Sequence, residues 1–517
     1  GWSISTTGLY LPLQQSCNLC IGALFLKDAA DVIAKRLTFI INLSLKTGTV
    51  PRDFKTARVV PLYKKGDCNQ EGNYRPVSIL PVVSKVFERL VHDQLYKYLC
   101  SNSLIYEFQS GFRPMFSTDT ALTYLGDKIR CNMDQALFTG VVLLDLQKAF
   151  DTVDHDILLS KLGAIGADNN VQEWFLSYLG DRRQFVDIHG TFSTAESISC
   201  GVPQGSILGP LLFTMYVNDM SSAVSCDLCL YADDSMLLIS GKNVKQIEKR
   251  LEREMNEISK WLQANRLSLH LGKTESILFG SKVRLKNVSQ MKINCNGVEI
   301  EAKSSVKYLG VVLDQDMSGS TMGINVMKKV NSVLKFLYRK SSFLNHKNRK
   351  LLCSALIQSR FDYGYNVYYR GLKKDLKKKL QTAQNKMIRF ILDYNSRHHL
   401  FVKDFIKTGF LSVECRFEYL SMNLMYNIYN DLAPSYLCTF RKISTVHSHR
   451  TRNSSRSYVI PRVKTQGSFS FMFNGAKLWN SLPDSTRAIG SKDNFKKKCK
   501  SYVFKQMETK ESSVFIY

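Results

Sequence analysis

Two adjacent carboxylates at a strand-to-strand turn constrain this chain more than any other feature. Tyr231-Ala232-Asp233-Asp234 lies between the apolar runs 228–230 and 235–239, so the Asp pair falls at the turn of a hairpin. Neighbouring like charges repel, and packing gains nothing from setting them at the tip of a buried hairpin. A divalent cation is the usual means of neutralising such a pair.

A third carboxylate arrives from upstream. Val141-Val142-Leu143-Leu144 runs without a polar break into Asp145, the pattern of a strand buried on both faces that ends on a charge. If that strand pairs with the hairpin, Asp145 and Asp233 can share two Mg²⁺ ions at the spacing of about 3.5–4 Å common to phosphoryl-transfer sites. Between them lies Gly201-Val202-Pro203-Gln204-Gly205-Ser206-Ile207-Leu208-Gly209-Pro210, followed by Leu211-Leu212-Phe213. Glycines on both sides of Pro-Gln permit close backbone approach, Ser206 suits a helix cap, and Leu208, Leu211, Leu212 and Met215 form one helix face. Each piece alone is commonplace as a turn or a helix start. Together, with a basic stretch before them, they favour chemistry.

These segments resemble a known family. Residues 141–155 (VVLLDLQKAFDTVDH), the GVPQGSILGP run and YADD are similar to the palm motifs of reverse transcriptases, specifically those of retrotransposons lacking long terminal repeats, the LINE-like elements. The resemblance extends, in that family's order, through Ala57-Arg58-Val59-Val60-Pro61-Leu62-Tyr63-Lys64-Lys65-Gly66-Asp67, Asn73-Tyr74-Arg75-Pro76-Val77-Ser78, Phe108-Gln109-Ser110-Gly111-Phe112-Arg113 and Tyr308-Leu309-Gly310-Val311. Gly475-Ala476-Lys477-Leu478-Trp479-Asn480-Ser481-Leu482-Pro483 resembles the tail of jockey-like and CR1-like elements.

The resemblance implies an α+β, right-hand polymerase. Its parts are an N-terminal helical extension (1–50), fingers (51–140), a palm with finger insertions (141–315), a helical thumb (316–400) and a C-terminal basic and aromatic region (401–517). It implies Asp145, Asp233 and Asp234 as catalytic, with Asp145 and Asp233 ligating two Mg²⁺ ions, Mn²⁺ being an alternative. Phe150 matches a bulky gate under the sugar of the incoming nucleotide, which makes the product DNA. Lys65 and Arg75 resemble triphosphate-gripping residues, and Gln204 with Gly205 a loop that places template and nucleotide. Lys273 resembles a lysine that assists pyrophosphate departure, although His270 stands where the family commonly has Asn. Tyr308, Leu309 and Gly310 match a primer grip. On the helical stretch beyond, Lys373, Lys374, Lys377 and Lys378 offer phosphate contacts.

The implied function is RNA-directed DNA polymerisation, a nucleotidyltransferase activity, in target-primed reverse transcription. The expected partners are element RNA, a DNA primer or target, and deoxynucleoside triphosphates, within a nuclear and cytoplasmic ribonucleoprotein. Such proteins carry an endonuclease ahead of the polymerase. This chain starts at Gly1, so it reads as a fragment whose nicking activity is missing or separate. The alternatives are a catalytically decayed RNA-binding remnant, a group II intron maturase and an RNA-dependent RNA polymerase. Phe150 opposes the last of these.

Composition fits this reading. A formal charge of +27, from 71 basic against 44 acidic residues, attracts polyanions and predicts salt-sensitive nucleic-acid binding. No apolar stretch is long enough to span a bilayer, and no secretory signal is recognised. Thirteen scattered cysteines argue against a disulfide framework. Cys17/Cys20 and Cys226/Cys229 have ligand-like spacing without a second half, and His447 with His449 lies in a basic, serine-rich stretch suited to nucleic-acid contact. Helical periodicity marks Ala29, Ile33, Leu37, Ile40 and Ile41, then Val83, Val86, Phe87, Leu90 and Leu95, then Val244, Ile247, Leu251, Met255, Ile258 and Trp261. Phe469, Phe471, Phe473 and Trp479, interleaved with Lys and Arg, fit either stacking on single-stranded RNA or a small packed domain.

Overall fold

Alternating burial along Thr56–Tyr63 sets Ala57 and Val59 inward, and this strand is the hinge of the first sheet. It pairs antiparallel with Tyr74–Ile79, from Arg58↔Ile79 to Tyr63↔Tyr74, and parallel with Arg182–Ile188. Thr191–Phe192 and Glu196–Ile198 extend the sheet from Arg182–Ile188. The computed structural model describes residues 22–443 and 456–509. Cys17, Cys20, His447, His449 and most of the basic, serine-rich stretch lie outside the described residues.

Two compact units divide the chain, each gathered from separate stretches. Unit 1 takes the chain up to Phe112 with Leu144–Ser235 and Glu254–Lys273; unit 2 takes Arg113–Leu143, Met236–Arg253 and Thr274 onward. In unit 1 the sheet just described is joined by the helices Ala30–Thr47, Val82–Ser101, His155–Ala164, Asn169–Leu179 and Leu208–Tyr216. Trp174 sits at their meeting point. Its ring lies edge-on to Phe87 at 5.3 Å and stacks on Tyr178 at 5.5 Å, and its N–H donates to Ser44 Oγ at 3.2 Å. Ala30–Thr47 buries Ile41, Ser44 and Leu45, whereas Ile40, expected on the same stripe, is exposed. Leu208–Tyr216 also departs from expectation. Instead of one apolar face it is buried around nearly its whole circumference, because LGPLLFTMY has no polar side to offer water.

Unit 2 contains the strands Asp234–Gly241 (from Met236), Phe138–Leu144 (to Leu143) and Glu275–Phe279, lying side by side in that order. Phe138–Leu144 is buried almost throughout, and its antiparallel register with Glu275–Phe279 matches Val141 to Ile277. Gly140 lets a helix approach: a Cβ there would sit 2.4 Å from Ile247 of Val244–Ala264. The predicted stripe of that helix is buried from Val244 to Ile258. A tight hairpin follows, Ser305–Tyr308 against Val311–Asp314, with Leu309 and Gly310 both at positive φ. Beyond it the unit is helical, from Ser320–Arg339 through Lys374–Leu392 and Val413–Tyr429 to Phe471–Ser481 and Lys492–Thr509.

The C-terminal region is a packed body. Trp479 is fully buried, donates to the Arg456 carbonyl at 2.8 Å and lies against Tyr429 and Phe495. Phe471 is buried as well, so neither ring is available to stack on a base, and packing accounts for both. No helix among the described residues is long and apolar enough to cross a membrane.

Candidate active site

The strand Asp227–Tyr231 turns through Ala232 and Asp233 into Asp234–Gly241. Ala232 is buried at φ +57, a left-handed conformation that costs a non-glycine residue about 1 kcal/mol. Gln109 holds it there. Its fully buried side-chain oxygen accepts the Ala232 N–H at 3.2 Å and the Gly111 N–H at 2.8 Å. On either side of it, Leu230 N–H donates to the Phe108 carbonyl at 3.1 Å and Ser110 N–H donates to the Leu230 carbonyl at 2.8 Å. Gly111 must stay glycine, since a Cβ would lie 2.3 Å from the Ala232 nitrogen. The turn is therefore fixed while Asp233 and Asp234 remain exposed at its tip, at the end of strands whose Leu228, Leu230 and Met236–Ile239 side chains are buried.

Asp145 directly follows the buried strand ending at Leu144. Its carbonyl accepts the His270 N–H at 2.8 Å, and the His270 carbonyl accepts the Lys273 N–H at 2.9 Å. This short turn brings Lys273 Nζ to 3.9 Å from Asp145 Oδ2. Both side chains are about half exposed, so the pair contributes little to stability and serves mainly to locate charge. Although Asp234 keeps exposed surface, the protein packed around its carboxyl group desolvates it and raises its pKa to about 6, and the charges of Asp233 and then Asp145 push the same way. Asp234 thus feels the charge of both other carboxylates.

Among the described residues, no group of three or more His, Cys, Asp or Glu side chains is arranged to hold a metal ion. The chemistry of the cluster nonetheless fits one. Hard oxygen donors, with Asp234 repelled by Asp233 and Asp145 and with Lys273 paired to Asp145, suit Mg²⁺ or Mn²⁺. Cys226 and Cys229 are partly buried, with Cys229 inside the strand.

Beside the carboxylates, the Gly201–Gly205 loop is laced to the segment after Asp145. Val202 N–H donates to the Phe150 carbonyl at 2.8 Å, Gly201 N–H to the Val153 carbonyl at 2.7 Å, and Gln204 Nε2 to Asp151 Oδ1 at 2.8 Å. The Gln204 carbonyl accepts the Ser78 N–H at 2.8 Å. Gly205, at φ +135, is pressed so close to Ser78 that a Cβ would fall 2.2 Å from its carbonyl oxygen. Phe150 stacks on Phe213 at 4.4 Å and meets Phe112 edge-on at 6.1 Å, leaving its ring partly exposed. Ser206 Oγ accepts the Gly209 N–H at 2.8 Å, as its capping role requires.

The remaining candidates lie elsewhere. Lys65 is exposed on the loop after Thr56–Tyr63, and Arg75 is exposed on Tyr74–Ile79 opposite Leu62. Tyr308 is buried, and the Leu309 carbonyl of its turn accepts from Tyr363 Oη at 2.5 Å. Lys373, Lys374 and Lys378 are exposed at the start of Lys374–Leu392, but Lys377 sits over the Tyr369 ring at 4.8 Å, and burial lowers its pKa. Gln109 and Asp151 are positioning residues that no local pattern singled out. The one signal for Gln109 was a polar residue two places before Gly111, within the motif Phe108-Gln109-Ser110-Gly111.

Residues 63–313 match the family described as reverse transcriptase (RNA-dependent DNA polymerase). The chain is 27% identical over 400 residues to a probable RNA-directed DNA polymerase from transposon BS of Drosophila melanogaster, covering 74% of this chain and 43% of that protein. The polymerase from transposon X-element of the same organism is 26% identical, covering 69% and 39%, and that of its mobile element jockey is 26% identical, covering 70% and 40%. The chain spans about two fifths of the length of these curated relatives. Motif order, the Asp145–Asp233–Asp234 cluster and these matches agree: the chain carries a reverse transcriptase domain of the non-long-terminal-repeat retrotransposon type.

Proposed function

We propose that this chain is an RNA-directed DNA polymerase that extends a DNA primer 3′-hydroxyl on the RNA of its own element. The observation that carries the reading is the joint presence of Asp234 under the charges of Asp233 and Asp145, a lysine beside Asp145, and a Gln204 loop bonded to Asp151 and, through Val202, to Phe150. In right-hand terms, residues 51–140 supply fingers, 141–315 the palm, 316–400 the thumb, and 401–517 a C-terminal region, after an N-terminal extension of 1–50.

Asp145 and Asp233 would hold two Mg²⁺ ions, which supply an acidified primer hydroxyl and neutralise charge on the departing pyrophosphate. Asp234 adds the negative field that makes the site cation-seeking. Lys273 brings positive charge toward the leaving group. Lys65 and Arg75 grip the triphosphate, and a planar guanidinium suits two phosphate oxygens at once. Phe150 occupies the volume a 2′-hydroxyl would need, and Gln204 with Gly205 aligns template and nucleotide. Because Tyr308 is buried, the Tyr308-Leu309-Gly310 hairpin supports the primer through its turn backbone. Lys373, Lys374 and Lys378 follow the duplex by phosphate charge, without reading sequence. Nicking of target DNA is assigned to an endonuclease outside these residues, and the partners are element RNA and target DNA.

The test is Mg²⁺-dependent extension of a DNA primer on an RNA template, with deoxy- and ribonucleotides supplied separately, for the wild type and Asp233→Asn. Deoxynucleotide extension that vanishes in the variant while RNA binding persists supports the proposal. Unchanged extension in Asp233→Asn sinks the metal assignment, and no extension by folded, template-binding protein favours the RNA-binding remnant.

A further inference from the structure

We infer that Glu88, which lies in none of the motifs of the site, is a positioning residue for the Gln204–Gly205 loop; the inference rests on the polymerase reading above. Glu88 lies on the helix Val82–Ser101 and is almost fully buried. A buried glutamate needs partners, and these are specific. Its Oε2 accepts the Ile207 N–H at 2.6 Å and, at 3.5 Å, the Leu208 N–H; its Oε1 accepts the Tyr178 hydroxyl at 3.0 Å.

The first amides of a helix have no partner inside it. For Leu208–Tyr216 they are met from two sides, by Glu88 at Ile207 and Leu208 and by Ser206 Oγ at Gly209. Arg182, also fully buried, steadies the arrangement. Its Nη1 donates to the Tyr178 carbonyl at 3.0 Å and its charge favours ionised Glu88 against the burial that opposes it.

This gives the loop a second anchor. At its start, Val202 is bonded to the Phe150 carbonyl, and in the middle Gln204 is bonded to Ser78 and Asp151. At its end the chain is fixed where Ile207 meets Glu88, three residues beyond Gln204. A buried carboxylate adds little stability over an apolar residue of similar size, but it supplies an acceptor at one fixed point. Removing it frees the end of the loop that carries Gln204, and the incoming nucleotide loses alignment rather than the chemistry losing a group.

The experiment compares the full chain with Glu88→Gln, which keeps an acceptor for the Ile207 N–H, and Glu88→Leu, which keeps volume only. Steady-state extension on an RNA template is read alongside amide hydrogen exchange over 204–209. Expected is a KM for deoxynucleotide raised about tenfold in Glu88→Leu with kcat changed less, faster exchange at Ile207 and Leu208, and recovery of both in Glu88→Gln. Tyr178→Phe, which removes one hydroxyl, gives a smaller rise in KM and stands in should Glu88→Leu fail to fold. An unchanged KM in folded Glu88→Leu, or in Tyr178→Phe where it stands in, overturns the inference, as does a Glu88→Gln variant as impaired as Glu88→Leu. If the wild type extends nothing, the polymerase reading fails by itself. Exchange at Ile207 then still decides whether Glu88 holds the loop, and equal exchange in all variants overturns that.

Discussion

The carboxylate of Asp127 accepts the N–H of Phe471 at 2.5 Å, joining residues 344 positions apart. The Met472 N–H meets its other oxygen at 2.6 Å, so Asp127 caps the helix Phe471–Ser481 from outside. Two turns further along Thr118–Asp134, Asp134 accepts the N–H groups of Lys464 and Gln466, each at 2.7 Å. A single helix face therefore holds the C-terminal region by its backbone. Gly467 belongs to this seam, since a Cβ there would lie 2.3 Å from Asp134 Oδ2.

This docking predicts a pH dependence. Burial raises Asp127 from its ordinary 3.8 to about 6, against the pull of the Phe471 and Met472 amides and Arg130. The residue keeps some surface, but its carboxylate is enclosed. The folded state holds the proton more tightly than the unfolded chain. Its contribution is thus complete below about 3.8 and lost as pH rises through about 6. Between pH 7 and pH 5 the wild type should gain about 1 kcal/mol on Asp127→Asn in urea unfolding. A difference that stays flat with pH would contradict it.

Gln109→Leu should leave the buried Ala232 and Gly111 amides without their acceptor, costing about 1–3 kcal/mol. Because Ala232 sits in the left-handed region only while held, extension should fall more than tenfold, a loss of about 1.4 kcal/mol or more in transition-state stabilisation. Thermal unfolding and single-turnover extension check the two parts separately. A loss of stability with full activity would mean that the turn holds without Gln109.

Phe150→Ala should admit ribonucleotides while deoxynucleotide extension continues. Its ring is braced by Phe213 and Phe112, so the vacated volume faces the sugar and is not refilled by a neighbour moving in. Competition between deoxy- and ribonucleotides on one template measures the effect. Unchanged sugar selection would remove Phe150 from the gate.

Lys374, Lys377 and Lys378 should divide in their response to salt. Replacing exposed Lys374 and Lys378 by Ala should lower the slope of log affinity for an RNA–DNA duplex against log salt by about one for each phosphate no longer neutralised. Lys377→Ala should instead cost packing against Tyr369 and leave that slope nearly unchanged. Filter binding across a salt series separates them, and identical slopes for all variants would refute the division.

Local patterns were legible where the signal is local. The turn at Asp233, the strand ending before Asp145 and the stripe from Val244 to Ile258 follow from neighbouring residues, and the structure has them. The circumferential burial of Leu208–Tyr216 was less accessible, because an apolar run reads alike whether one side or all sides are covered. The hold of Gln109 on Ala232 spans 123 residues and that of Asp127 on Phe471 spans 344, and side-chain-to-amide bonds leave no periodicity behind. The same holds for Lys377, whose position over Tyr369 distinguishes it from Lys374 and Lys378 although the sequence treats them alike.

The seam at Asp127 also sets an order on biosynthesis. A ribosome adding about 5–20 residues per second delivers Phe471 roughly 20–70 s after Asp127. Throughout that interval the helix Thr118–Asp134 already has Leu122, Leu125 and Ile129 to bury, while Asp127 and Asp134 wait, solvated, for amides not yet made. Those charges keep the nascent surface soluble until the later-made helices capture them. Translation halted before Lys464 would yield a product that retains Asp145, Asp233 and Asp234 yet displays an open seam, a natural signature for chaperones or proteases to recognise.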